Sequence, residues 1–291
     1  MGEIFALSTA VTWSIAVILF KKSGEKVPPF ALNFFRVAVS SLLFVLMFVV
    51  IREPIFGVAP LKDYLILIAS GVIAIAISDT LFHMCLNRVG AGLNAIVDGL
   101  YSPSIVFFAW LILGEKLGPW QLAGMGAVLL GIFIATRHDP PPGATKRQLA
   151  FGIFWGVLSM VTLGIGIVIA KPVLNHSPVL WATAVRQIGT FLVMLPVALL
   201  LPSRKNIFSN FRPMSSWKYM IPGTVIGSFL SLIFWIAGMK YTQAGIAAIL
   251  NQTSSIHIII MATIFLKEPL TKRKIAALIL ALIGILMVTI G

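Results

Sequence analysis

Apolar residues in this chain come in long blocks, not in the alternating or every-third-residue spacing of a half-buried strand or helix. The stretches "ALNFFRVAVSSLLFVLMFVVI" (31–51) and "YLILIASGVIAIAIS" (64–78) are typical. A helix that is hydrophobic all round is buried or spans a membrane. About 20 such residues cross the hydrocarbon, where lipid gives the backbone no hydrogen-bond partner and a helix must supply its own. Ten segments fit, near 4–20, 29–51, 64–87, 91–113, 120–136, 149–170, 179–201, 217–239, 243–266 and 275–290. The pattern predicts an all-α integral membrane protein with ten transmembrane helices.

Charged connectors such as "FKKSGEKVPP", "GEKLGP" and "LKEPLTKRK" separate the blocks, and the longest, "TRHDPPPGATKRQ", falls at mid-chain. It divides a first five-helix unit, 1–138, from a second, 147–291. The units resemble each other. A shift of 150 residues lays Thr12 on Thr162, Lys21 on Lys171, Pro28 on Pro178 and Arg36 on Arg186. A shift of 153 matches 15 of 46 positions between 91–136 and 244–289, including Glu115 with Glu268 and Gly131 with Gly284. An odd number of spans per copy turns the second copy upside down, which predicts two inverted repeats around a central cavity with a solute site near the midplane.

Composition agrees with the pattern: 59% of residues are hydrophobic and 11% charged, against about a quarter charged in soluble domains. Mean hydropathy is +1.01. The first helix opens with Glu3 and ends without a small-residue cleavage site, so it is expected to stay as an anchor in the cell (inner or plasma) membrane. Cys85, alone, cannot form an internal disulfide. With Lys218 counted in the connector it borders, odd-numbered connectors hold 15 basic residues and even-numbered ones 5, which predicts both termini outside the cytoplasm. The net charge of +13 is then a cytoplasmic coat facing anionic lipid. No basic soluble domain exists to hold a nucleic acid.

A helix opening with "AG", an apolar stretch ending in "LGEKL" or "LKEPL", and a glycine-containing helix occur twice. This pattern resembles the EamA family of the drug/metabolite transporter superfamily over nearly the whole chain. The resemblance implies a ten-helix bundle and export or exchange of small metabolites, amino acids among them. The family often carries a proline in the middle of the fourth helix of both copies; this chain has Pro103 in the first and departs with Ile256 in the second.

Four charges fall inside the expected spans: Arg36, Asp79, Asp98 and Arg186. Such residues usually face a cavity or one another. At 1.5 Å per residue, Arg36, Asp79 and Asp98 each lie roughly 5–6 Å from their helix centres, toward the same face. One arginine and two carboxylates can therefore meet, either as a structural lock or as a proton or cation site. Asn94 and Tyr101 share the Asp98 face, and His83, one turn from Asp79, is placed to pass a proton. In the second copy Leu232 and Asn251 replace the two acids, so Arg186 caps carbonyls, snorkels, or meets a substrate carboxylate or phosphate.

Polar and aromatic stripes add Thr12 and Trp13, Trp155 and Ser159, Ser231 and Trp235, and Asn251 with Ser255 as candidate wall residues. The competing reading is helix packing, for which "GIFWG" and "GTVIG" carry the GxxxG spacing. The expected function is a secondary transporter of small polar or amphipathic metabolites, with protons as candidate coupling ion. Its expected partners are a small-molecule substrate and the lipid bilayer; the sequence leaves the oligomeric state open, a monomer among the options. No cofactor or metal is called for. The competing classes are a membrane-embedded enzyme using Asp79, Asp98 and His83, and a non-transporting scaffold.

Overall fold

The computed structural model describes residues 1–114, 118–136, 145–241, 247 and 250–290, and all regular structure among them is helical. In order these are α1 (Gly2–Gly24), α2 (Pro29–Ile51), α3 (Leu61–Val89), α4 (Ala91–Val97 continuing to Tyr101–Leu113), α5 (Pro119–Thr136) and α6 (Lys146–His176). Then come α7 (Val179–Leu200), α8 (Trp217–Tyr241), α9 (Leu250–Phe265) and α10 (Lys272–Ile290). Among the described residues, seven helices are long and apolar enough to cross a bilayer: α1 to α4 and α6 to α8. The protein is an all-helical, multi-pass membrane protein. Helices α5, α9 and α10 stand where the other three spans are expected. The start of the expected ninth span, Glu115 of "LGEKL", Gly291 and residues 137–144 of the mid-chain connector lie outside the described residues.

Several helices overrun their apolar windows: α1 ends at Gly24 rather than near 20, and α6 runs from 146 to 176 instead of 149 to 170. Backbone bonding does not stop where hydropathy does, because interfacial side chains still tolerate helical geometry. The ends have local causes. Pro28 and Pro178 sit extended (ψ 147° and 138°) before α2 and α7. Thr145 and Gln148 form a capping box on α6. Gly90 breaks α3 from α4 at φ +82°, a region a side chain resists. The seventh connector, read from sequence as charged loop, contains a short helix, Arg204–Ser209, whose buried Ile207 and flanking Phe208 and Phe211 pack on α2.

Helices pair across the halves, each pair antiparallel. On α3 and α6, Ser70 Oγ donates to the Gly166 carbonyl (2.7 Å), Ser78 Oγ to that of Ser159 (2.8 Å), and Cys85 faces Gly156. On α1 and α8, Ala6 faces Gly238, Ala16 faces Gly227 and Phe20 faces Gly223. On α2 and α7, Phe34 stacks on Phe191 (5.9 Å) and Ser41 donates to the Gln187 carbonyl (3.1 Å). On α4 and α9, Ser255 donates to the Ala95 carbonyl (3.0 Å). Beyond the end of α9, Glu268 accepts from the Ala91 and Gly92 amides (2.7 and 3.0 Å) and from Lys274 (3.3 Å). The carboxylate of "LKEPL" thus caps the fourth helix of the opposite half. Both GxxxG runs supply close approaches: a Cβ at Gly156 would lie 2.8 Å from the Cys85 sulfur, one at Gly227 2.6 Å from the Ala16 Cβ.

Regular α-geometry fails at matched places. Helices α3 and α8 turn to π-helix at Val72–Ile77 and Thr224–Leu230, each directly after a glycine. Asn33 Nδ2 occupies carbonyls of the first bulge, Ile75 (2.8 Å) and Ala76 (3.2 Å). Helix α4 tightens to a 3-10 turn at Asp98–Leu100, and α9 is interrupted at Thr253, whose hydroxyl bonds the Leu250 carbonyl (2.6 Å). The second break forms with Ile256 where the first has Pro103, so proline is not what creates it.

Gly227→Val is expected to destabilise the protein by about 1–3 kcal/mol through overpacking against α1. Gly126→Ala, where a Cβ meets nothing within 4 Å, should be neutral or stabilising by up to ~1 kcal/mol. Thermal unfolding of both variants in detergent checks the contrast; equal melting temperatures would reject the packing assignment.

Candidate functional site

A cavity with about 150 Å³ open to the centre of a water molecule lies between α1 to α4 and α6 to α9. Both halves line it. Of the residues expected from the sequence, Trp13, Asp79, Asp98, Tyr101, Ser159, Arg186, Ser231, Trp235 and Asn251 border it. Apolar stretches of wall come from Phe82, Met160, Leu163 and Leu232. The matched breaks converge here, since the π segments contribute Ala74, Ile75, Gly227 and Ser228, and the turns in α4 and α9 contribute Asp98 and Asn251. A π-bulge rotates the following residues about the helix axis, and here Ser78, Asp79 and Ser231 follow it onto the cavity.

Five expected residues lie off the wall. Thr12 bonds back to the Ser8 carbonyl (2.7 Å), and Thr9, three residues earlier, lines the cavity in its place. Trp155 packs half-buried in the core beside Phe154. Ser255 is taken up by the Ala95 carbonyl, and Asn94 stands behind Asp98, donating to its Oδ2 (3.2 Å). His83 is fully buried behind Arg36. Ser159, although on the wall, is committed to packing: its hydroxyl donates to the Ser78 carbonyl (2.9 Å) while Ser78 returns the bond.

Arg36 is held on every side. Nε donates to Ser228 Oγ (2.9 Å), Nη1 to His83 Nε2 (2.6 Å) and Nη2 to Asp79 Oδ2 (3.3 Å), while the guanidinium carbon lies 4.2 Å above the Phe20 ring. One side chain therefore ties α1, α2, α3 and α8 together. A guanidinium only donates, so Nε2 of His83 accepts and its ring proton sits on Nδ1. Arg36 thus separates Asp79 from His83, which corrects the expected relay between them. The expected trio is also corrected: Arg36 takes Asp79, while Asp98 bonds within its own helix and keeps Oδ1 without a partner among the described residues.

Arg186 differs. It is 1% exposed, borders the cavity, and none of Nε, Nη1 and Nη2 has a hydrogen-bond partner among the described residues. Its guanidinium carbon lies 5.6 Å from the Trp235 ring, whose Nε1 donates to the Tyr101 hydroxyl (2.9 Å). The sequence reading missed Gln187, Gln252 and Ser78, all on the wall. A signal existed: Gln187 and Gln252 directly follow Arg186 and Asn251, and paired polar residues inside an apolar run imply a wet face.

Arg36→Met should destabilise by about 3–5 kcal/mol, because Asp79 loses its ion-pair partner inside the span. Adding Asp79→Asn is expected to recover a large part of that loss, read as a thermal-melt double-mutant cycle. Strictly additive losses would reject the Arg36–Asp79 lock.

Comparison with known proteins agrees with this architecture. The model of the EamA-like transporter family matches residues 1–137 and again 150–290. An uncharacterized transporter of Archaeoglobus fulgidus is 21% identical over 286 residues, covering 98% of this chain and 96% of its own. An uncharacterized transporter of Haemophilus influenzae is 28% identical over 161 residues, 54% of this chain and 51% of its own. A solved structure titled only as the crystal structure of a protein superposes with a TM-score of 0.68 at 15% identity, covering 99% of this chain and 96% of that one, which speaks for the fold alone. Matched once in each half, the chain belongs to the EamA-like transporter family.

Proposed function

We propose that this membrane transporter is a secondary transporter that exports small polar or amphipathic metabolites, amino acids or related compounds, across the cell membrane by alternating access. The observation that carries the reading is the cavity itself. It lies between the two halves, is bordered by breaks in matched helices, and is lined by residues whose polar groups lack a partner among the described residues. Irregular backbone at membrane depth is tolerated where it lines such a space.

The ten-span, inverted arrangement is part of this proposal. The antiparallel pairing of α2 with α7 and of α4 with α9 supports it, since matched helices of inverted copies run in opposite senses. Asp98 is the proposed proton site, because the residue lines the cavity and its Oδ1 has no partner among the described residues, while Asp79 is engaged by Arg36. The enzyme reading loses support from the same geometry: Asp79 and His83 are both occupied by Arg36, and Asp98 is held by Asn94.

Counterflow in proteoliposomes against a metabolite panel tests transport. Asp98→Asn is expected to flatten the pH dependence of that flux; an unchanged pH profile removes Asp98 from coupling. Cysteines at the exposed, matched positions Lys26 and His176 should react with an impermeant maleimide from opposite sides of the membrane. Labelling of both from one side would reject the inverted arrangement.

A further inference from the structure

Two arginines at matched positions share a local device and differ in everything beyond it. Ser40 Oγ donates to the Arg36 carbonyl and Thr190 Oγ1 to the Arg186 carbonyl, both at 2.6 Å. Arg36 then finds an acid, a histidine and a serine. Arg186 finds an indole face, because the positions matching Asp79 and His83 are Leu232 and Ile236. Among the described residues it caps no carbonyl, and at 1% exposure it does not reach the interface, the two structural roles open to it from the sequence. A buried guanidinium with unmade hydrogen bonds is costly, and an acidic ligand relieves that cost.

Further donors face the same space. The Tyr101 hydroxyl accepts from Trp235, which leaves its own hydrogen to donate. Asn251 lines the cavity with both Nδ2 and Oδ1 unpartnered among the described residues. Asp79, the nearby acid, is held by Arg36. We propose that Arg186, with Tyr101 and Asn251, forms a carboxylate-recognition subsite, so that the solute carries one carboxylate on an apolar body lying along Trp13, Phe82 and Leu163. The planar guanidinium fits two carboxylate oxygens side by side. A phosphate dianion is disfavoured, since a single cation would leave net negative charge in a low-dielectric site. This inference rests on the transporter reading and narrows its substrate class.

The test uses the purified full-length protein, its melting temperature, and the matched probes 4-methylpentanoate, L-leucine, L-leucinamide and 3-methylbutylamine. Arg186→Met, which removes a buried guanidinium without hydrogen-bond partners among the described residues, is expected to melt a few degrees above wild type without ligand; a lower melting temperature means Arg186 is structurally paired and overturns the proposal. The carboxylate-bearing probes should stabilise wild type, and the two probes lacking a carboxylate should not. Arg186→Gln should weaken that stabilisation at least tenfold in apparent affinity, with Arg186→Lys intermediate. Equal stabilisation by L-leucinamide or 3-methylbutylamine, or unchanged affinity in Arg186→Gln, overturns the subsite. Counterflow of a wider panel separates the two readings: flux carried by solutes without a carboxylate rejects only the Arg186 assignment, whereas no flux of any solute rejects transport.

Discussion

Hydrocarbon offers neither a hydrogen bond nor a counter-charge, so a polar group within the span is stabilised where protein or the contents of the interior answer it. Most of the fold follows from that constraint. Hydroxyls fold back on their own helices, as Ser14, Ser40, Thr162 and Thr224 do, or staple two helices as Ser78 and Ser159 do. Asn33 serves the carbonyls that a π-bulge releases. Among the described side chains left short of partners, Asp98, Arg186, Gln187 and Asn251 border the cavity.

The two halves are built alike and have diverged in charge. Glycine faces let α1 lie on α8 and α6 on α3, and the second and fourth helices meet their counterparts across the interface. Within that near-symmetric frame the first half carries Asp79, His83 and Asp98, where the second has Leu232, Ile236 and Asn251. One arginine is consequently locked and the other open. An asymmetric interior inside a symmetric frame gives a solute a defined orientation.

Much of this was legible in the sequence because the hydrocarbon thickness writes itself into the length of apolar blocks. The doubling of "LGEKL" in "LKEPL" and the depth agreement of Arg36 and Asp79 were legible for the same reason, since position along a helix axis is a matter of counting. Rotation about the axis was not. In α3 nearly every face is apolar, so hydropathy cannot say that His83 sits behind Arg36, whereas the i, i+4 spacing did put Asn94 beside Asp98. The π-bulges compound this, rotating Asp79 and Ser231 relative to an ideal helix. Gln187 and Gln252 escaped notice because an uncharged amide leaves little mark in a charge-based reading, and the Arg204–Ser209 helix because basic residues masked Ile207.

Glu268 belongs to one half, and the helix it caps to the other. Its carboxylate neutralises the positive end of α4 and takes Lys274 with the remaining oxygen capacity, so several charge-assisted bonds share two atoms. Separating α4 from the α9–α10 junction breaks both amide bonds together and leaves Glu268 with Lys274. One side chain of the second half therefore holds two backbone donors of the first, so the contact between the halves at that end is lost with a single carboxylate.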